Sequence, residues 1–235
     1  GSGNYGGIVG YINNNTAAIV YMTNCLFDGK VINTADAPGG CTFGGFVGYS
    51  NSGIVTIKNS LSIGTVQSAV YGQFFGAVKQ SRSAIINSYY MGDVVNGSAS
   101  TVEIPAIETN PDELASGEIA WKLNGEDFLN AVWRQSLGED EYPQPTSVGA
   151  FVYPVQDGGY TSVSEDKPES FDAFRDGIIA NETAFIEDDE LVAYQPLVDE
   201  YKETIESWES IDNMNDFLAA YKAGFKVKEA INKSA

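Results

Sequence analysis

Histidine is absent from this chain of 235 residues. That removes the side chain most used as a general base near neutral pH and the commonest metal ligand. It also rules out any His-Glu-x-x-His zinc site. Cysteine occurs twice, at Cys25 and Cys41, too few for a disulfide framework. The two either bridge a short loop or sit apart as small buried side chains. No run approaches the roughly 18–20 apolar residues that span a bilayer. Cations are scarce: 13 Lys and Arg against 32 Asp and Glu give a net charge of −19. Phosphate binding needs clustered Lys and Arg, so neither nucleic acid nor an anionic membrane is an expected partner. The sequence has no P-loop, nucleophile elbow or Cys-x-x-Cys, and paired glycosidase acids need geometry to be recognised. The expectation is no enzyme: no catalytic residue, no cofactor and no metal.

The charge is unevenly spread. Residues 1–97 hold three acidic and four basic side chains, residues 98–164 eleven and two, and residues 165–235 eighteen and seven. The first part is nearly neutral and the rest strongly acidic, which divides the chain at 1–97, 98–164 and 165–235.

What fills the neutral part is a repeat. Asn24-Cys25-Leu26-Phe27-Asp28-Gly29-Lys30-Val31 returns as Asn59-Ser60-Leu61-Ser62-Ile63-Gly64-Thr65-Val66 and again as Asn87-Ser88-Tyr89-Tyr90-Met91-Gly92-Asp93-Val94. A glycine phrase precedes each copy: Gly7-Ile8-Val9-Gly10, Gly45-Phe46-Val47-Gly48, and Phe74-Phe75-Gly76 with Gln73 in place of its first glycine. The asparagines lie 35 and then 28 residues apart, the longer step taking in Ala37-Pro38-Gly39-Gly40 as an inserted loop. Residues 53–58 are rich in β-branched side chains, residues 17–22 and 83–86 hold the same place in their copies, and none carries a helical period. Strands this short bury no face alone, and stacking of copies supplies the missing cover. The predicted fold is mixed β and α: a short right-handed parallel β-helix, or β-solenoid, of about three rungs, capped, then a small C-terminal three-helix bundle. Glycine pairs serve positive φ or close approach between rungs. Asn24, Asn59 and Asn87 form an internal amide ladder, and Val31, Val66 and Val94 stack inside.

The phrase Gly-Gly-[Ile/Phe]-Val-Gly followed by Asn-[Cys/Ser]-x-x-x-Gly-x-Val resembles GLUG-motif repeats, over roughly residues 5–97. Such repeats occur in large secreted or surface proteins of bacteria, including adhesin-like proteins and some immunoglobulin-A-cleaving metallopeptidases. The resemblance implies an extracellular or cell-surface location, with signal and anchor outside this chain. The metallopeptidase activity does not carry over, since the zinc ligands are missing.

Downstream, Asn110-Pro111-Asp112-Glu113 opens a helix that runs to Asn124-Gly125. The order from Ser116 through Trp121 and Trp133 to Tyr142-Pro143 resembles the segment that often ends repeat arrays in surface proteins of gut bacteria, and reads as a cap over the last rung. Residues 151–155 and 160–163 read as two strands around a turn. Leu191, Tyr194, Val198, Tyr201, Ile205 and Trp208 then step by three and four, a helical seam whose regular part starts near Gln195 because of Pro196. Phe171 to Ile179 and Met214 to Ile231 make two further amphipathic faces. Residues 187–190 suit a helix N-terminus or, less simply, a calcium ion.

The leading functional expectation is a non-catalytic structural or adhesion module of a bacterial surface protein. A carbohydrate-binding module is the alternative, with an extracellular glycan, mucin or host surface protein as partner and Tyr11, Tyr49, Tyr89, Tyr90, Trp121 and Trp133 as glycan contacts. An accessory region of a larger secreted enzyme is the third.

Overall fold

A computed structural model describes residues 3–13, 18–33, 40–127, 130–163, 168–187 and 189–234, the side chains of 189, 190, 192 and 234 excepted. The protein is mixed β and α, with parallel sheets followed by a C-terminal helical region. The first copy of the repeat carries β1 (Asn4–Gly6), β2 (Val9–Ile12), β3 (Ile19–Thr23), β4 (Leu26–Phe27) and β5 (Lys30–Ile32). The second carries β6 (Thr42–Gly44), β7 (Val47–Ser50), β8 (Ile54–Lys58), β9 (Leu61–Ser62) and β10 (Thr65–Gln67). The third carries β11 (Tyr71–Gly72), β12 (Phe75–Val78), β13 (Ala84–Ile86) and β14 (Tyr89–Tyr90), and β15 (Ile107–Glu108) follows.

Equivalent strands pair in parallel, in the orders β1-β6-β11, β2-β7-β12, β3-β8-β13, β4-β9-β14-β15 and β5-β10. The register aligns the repeated residues: Val9 with Val47 and Phe75, Leu26 with Leu61 and Tyr89, Val31 with Val66. A two-residue strand has no stability of its own. Here its backbone groups bond to the copies on either side, and the inward side chains Phe43, Phe46, Val47, Val55, Ile57, Phe74 and Phe75 form one core.

The glycines act through space rather than through φ. Gly6, Gly44 and Gly72 carry no positive φ. A Cβ on Gly44 would lie 2.0 Å from the Val47 carbonyl oxygen and 2.7 Å from the Gly76 nitrogen, and one on Gly6 would meet Val9 and Gly48 in the same way. At these three positions close approach, not positive φ, is the role that applies. The left-handed corners fall to Asn24, Asn59 and Asn87, with φ of 54°, 49° and 43°. Asparagine tolerates that region better than other side chains.

The third copy departs where the sequence does. Gln73 is buried, and its backbone and side-chain oxygens each accept from the Ser62 hydroxyl at 2.9 Å. Gly92, at φ 135°, then turns the chain away. Val94 therefore does not stack under Val66: its carbonyl accepts the Gln73 N–H, and Val95 packs on the core instead. Residues 94–109 run along the outer edge of the third copy. Asn96 bridges to Phe75, Thr101 donates to the Val78 carbonyl, Ile107 donates to that of Ser88, and Ile104 is 5% exposed.

Beyond this, the expected single helix from Asn110 is two: α1 (Pro111–Ala115) and α2 (Glu118–Leu123), parted by Gly117 at φ 90°. Asn110 caps the first by accepting the Glu113 N–H at 3.0 Å. Two antiparallel pairs follow, β16 (Trp133–Arg134) with β17 (Gln144–Pro145), and β18 (Phe151–Pro154) with β19 (Tyr160–Val163).

The helical region holds α3 (Phe171–Ile186), a 3₁₀ turn (Asp189–Tyr194), α4 (Gln195–Trp208) and α5 (Met214–Ser234). Pro196 sits in the first turn of α4, where a missing N–H leaves no bond unmade. Val198, Tyr201, Ile205 and Trp208 turn inward and meet Phe174, Phe217 and Tyr221. Trp208 stands edge-on to Tyr201, Phe217 and Tyr221, with centroids 5.6–6.2 Å apart. The expected boundary at 164–170 lies partly outside the described residues, as do most side chains of the acidic run 187–190.

Candidate functional site

The repeated asparagine phrase builds a polar column on one corner of the stacked copies. Asn87 donates through Nδ2 to Asn59 Oδ1 at 3.0 Å and to the Lys122 carbonyl at 2.7 Å, while Tyr89 donates its hydroxyl to Asn87 Oδ1. A second column runs beside it. Ser60 Oγ accepts the Cys25 N–H at 3.2 Å and donates to the Lys58 carbonyl, and Ser88 Oγ accepts the Ser60 N–H at 3.0 Å and donates to the Ile86 carbonyl. Each serine thus ties its own corner to the copy before it. The sequence signal was Ser at the place after Asn in copies two and three.

Both thiols are free. Cys41 Sγ accepts the Gly3 N–H, while Cys25 donates to the Thr23 carbonyl and burial pushes its pKa up.

The left-handed corner and the amide bond can be separated experimentally. Asn59→Ala is expected to cost about 2–3 kcal/mol, combining an L-residue in the αL region with a lost hydrogen bond. Asn59→Gly keeps the corner and is expected to cost about 1 kcal/mol. Urea unfolding checks the order; equal losses would remove the backbone part of the argument.

Of the six aromatic candidates, four are interior. Tyr89 is 4% exposed, Tyr90 8%, Trp121 4% and Trp133 0%, so none presents a face to a sugar. Burial of these four rings favours packing over glycan contact at those positions. Short strands carry no alternation from which burial could be read. Tyr11 and Tyr49 differ: they are register partners in β2 and β7, stacked with centroids 5.5 Å apart and planes 22° apart, and Tyr11 is 46% exposed. Beside them Asn51 Nδ2 donates to Asn13 Oδ1 at 3.3 Å.

The buried tyrosines have a use of their own. Trp133, Tyr89 and Leu61 meet Leu114, Ile119 and Leu123, joining the repeats to α1 and α2. Trp133 Nε1 donates to the Asn59 carbonyl at 3.0 Å, and the Tyr142 hydroxyl donates to Asp28 at 3.0 Å. These contacts touch the first, second and third copies. Residues 111–127 and 130–142 therefore lie along the flank of the stack, and residues 94–109 bond to the last edge at β11, β12 and β14. The tryptophans, expected over the last rung, lie on the flank instead, because which strand lies open is set by long-range pairing.

Burial, and then the carboxylates of Glu118, Glu126 and Glu113, push the Tyr89 pKa up to about 12. Burial also raises Tyr201 and Tyr221. The fold favours the neutral phenol, so this contribution is complete below the unfolded value near 10 and is lost as pH rises toward 12. Stability is expected to hold up to about pH 10 and fall between 10 and 12. Circular dichroism with phenolate absorbance checks this; full ionisation of all 13 tyrosines near pH 10 with the fold intact would contradict it.

A surface depression of about 490 Å³ is lined by residues from Asp93 to Glu103. One of about 350 Å³ lies between α3 and α4, and one of about 340 Å³ between Trp121, Pro154 and Leu218. Among the described residues no three of Cys, Asp and Glu gather as a metal site, and no helix is long and apolar enough to cross a membrane. No family profile, no curated protein and no solved structure matches the chain.

Proposed function

We propose that residues 1–97 are a right-handed β-solenoid of GLUG-like repeats and that the chain is a non-catalytic structural or adhesion module of a bacterial surface protein. The observation that carries this reading is the parallel, in-register pairing of equivalent residues across copies of the phrase, in all five sheets. Such a body is rigid along its stacking axis, since each copy is tied to the next by main-chain bonds and a shared core. Rigidity with a nearly neutral surface suits a spacer. The acidic helical region, resting on the hairpin β18–β19, adds bulk and solubility. The module takes in the flank segment 98–164 and the bundle 165–235.

A second reading, carbohydrate binding, is favoured by one feature, the stacked and accessible Tyr11–Tyr49 pair with its amide neighbours Asn13 and Asn51. The rings face each other, so what the pair offers a sugar is the outer face of Tyr11, backed by Tyr49. A glycan-array and mucin-binding screen of the purified chain separates the two. The spacer reading predicts no saturable binding. Saturable binding lost in Tyr11→Ala and Tyr49→Ala, with the far-ultraviolet spectrum unchanged, would replace it with the second.

A further inference from the structure

One depression lies where the flank segment meets the helical region. Its volume of about 340 Å³ falls in the range of small-molecule sites, which favour the seams between structural units. Trp121 of α2, Pro154 of β18 and Leu218 of α5 form its floor, and all three are buried. Glu126, Asn215 and Lys222 stand around that floor and are exposed. Among the described residues Glu126 and Lys222 form no ion pair, with each other or with any other side chain, and the Asn215 amide makes no hydrogen bond. A carboxylate and an ammonium thus line one small space without meeting.

The backbone at Glu126 is unusual. Its φ is 61°, and apart from the three corner asparagines it is the only non-glycine residue with positive φ among the described residues. Gly125 before it, at φ 74°, already ends α2, its N–H donating to the Lys122 carbonyl. The chain then spends a second left-handed position on glutamate, where glycine or asparagine would cost less. The Glu126 N–H donates to the Trp121 carbonyl at 3.1 Å, which fixes the root of this side chain beside the floor. Strained positions of this kind gather at ligand sites.

We propose that this depression binds a small zwitterion with an apolar body, an apolar amino acid or dipeptide. Glu126 takes the ammonium, Lys222 takes the carboxylate, and the apolar side chain rests on the floor of Trp121 and Leu218. Charge-assisted bonds at both ends select such a ligand over a neutral one. The Asn215 amide, both donor and acceptor, serves the polar atoms between them. A sugar fits less well, because sugars stack on ring faces and Trp121, 4% exposed, offers only an edge. This site requires no adhesive function and stands if the surface-module reading fails.

Titration calorimetry of the full chain with L-leucine and with L-leucyl-L-leucine, at millimolar concentrations, tests the site and separates the two ligand sizes. Saturable binding of at least one is expected, with N-acetyl-L-leucine amide, which lacks both charges, at least tenfold weaker. Glu126→Gln and Lys222→Gln, both at exposed side chains, should each weaken binding at least tenfold with the circular dichroism unchanged. Glu126→Asn removes the carboxylate and suits the left-handed backbone, so it should lose binding while raising Tm by a few degrees. No saturable binding of either zwitterion overturns the proposal, as does binding indifferent to both glutamine variants. Binding of N-acetylglucosamine that Lys222→Gln abolishes would make the depression a sugar site and refute the zwitterion.

Discussion

Truncating Trp133 to alanine is expected to lower the unfolding free energy by about 3–5 kcal/mol. The indole is fully buried between the second and third copies of the repeat and helices α1 and α2. Its loss empties a space ringed by Leu61, Tyr89, Leu114, Ile119 and Leu123, side chains anchored in separate elements that cannot all collapse inward. It also leaves the Asn59 carbonyl without the Nε1 donor. Trp133→Phe keeps most of the volume and loses the donor, so about 1–2 kcal/mol is expected. Urea unfolding gives both values. A sugar platform would show the opposite pattern, with stability unchanged in Trp133→Ala and binding lost.

The second large effect is expected at Lys228. Glu182 of α3 is 5% exposed and accepts from the Tyr201 hydroxyl at 3.0 Å and from Lys228 Nζ at 2.5 Å. Gln156, at the end of the β18–β19 hairpin, donates to the same tyrosine oxygen at 2.9 Å. The network joins α3, α4, α5 and the hairpin around one carboxylate. Lys228→Met removes the only cation bonded to that carboxylate among the described residues, and breaking such a pair costs about 3–5 kcal/mol. The partly exposed lysine, at 23% of its side chain, places the value toward the lower end, because water screens the pair. Adding Glu182→Gln to Lys228→Met removes the stranded charge and should restore most of the loss. The double-mutant cycle reads this coupling directly; strict additivity would mean the ammonium does nothing for Glu182.

Much of this architecture was legible in the chain, and the reasons differ by region. The parallel register could be read because Asn, Gly and Val recur at fixed offsets and short β-branched runs cannot stand alone. The helical seam of α4 could be read because its stripe is regular and Pro196 marks its start. Legibility failed where one residue type has two physical uses. Glycine serves close approach as readily as positive φ, and here Gly6 and Gly44 serve the first while the asparagines take the left-handed corners. Tyr89 and Tyr90 in a two-residue strand gave no alternation to show that both lie inside. Gly117 broke a helix that its flanking residues favoured, because it sits at φ 90° with Val152 and Leu137 closely packed against it. The flank position of Trp121 and Trp133 depended on which strands lay open, a long-range fact that local sequence does not carry. The serine column was visible in outline, as Ser60 and Ser88, but its bonds cross between copies and have no local signature.

The most direct test of the stacking is a disulfide trap. Thr23 is the register partner of Lys58, and Tyr21 is the partner of Thr56, two residues away on the same face. Neighbouring strands lie about 4.8 Å apart, within reach of a disulfide, whereas a two-residue offset exceeds the roughly 7 Å limit. With Cys25 and Cys41 replaced by serine and alanine, the pair Thr23→Cys with Lys58→Cys is expected to cross-link readily on mild oxidation. The pair Thr23→Cys with Thr56→Cys is expected to stay reduced. Equal cross-linking of the two pairs, or preference for the second, would contradict the in-register parallel stack on which this account stands.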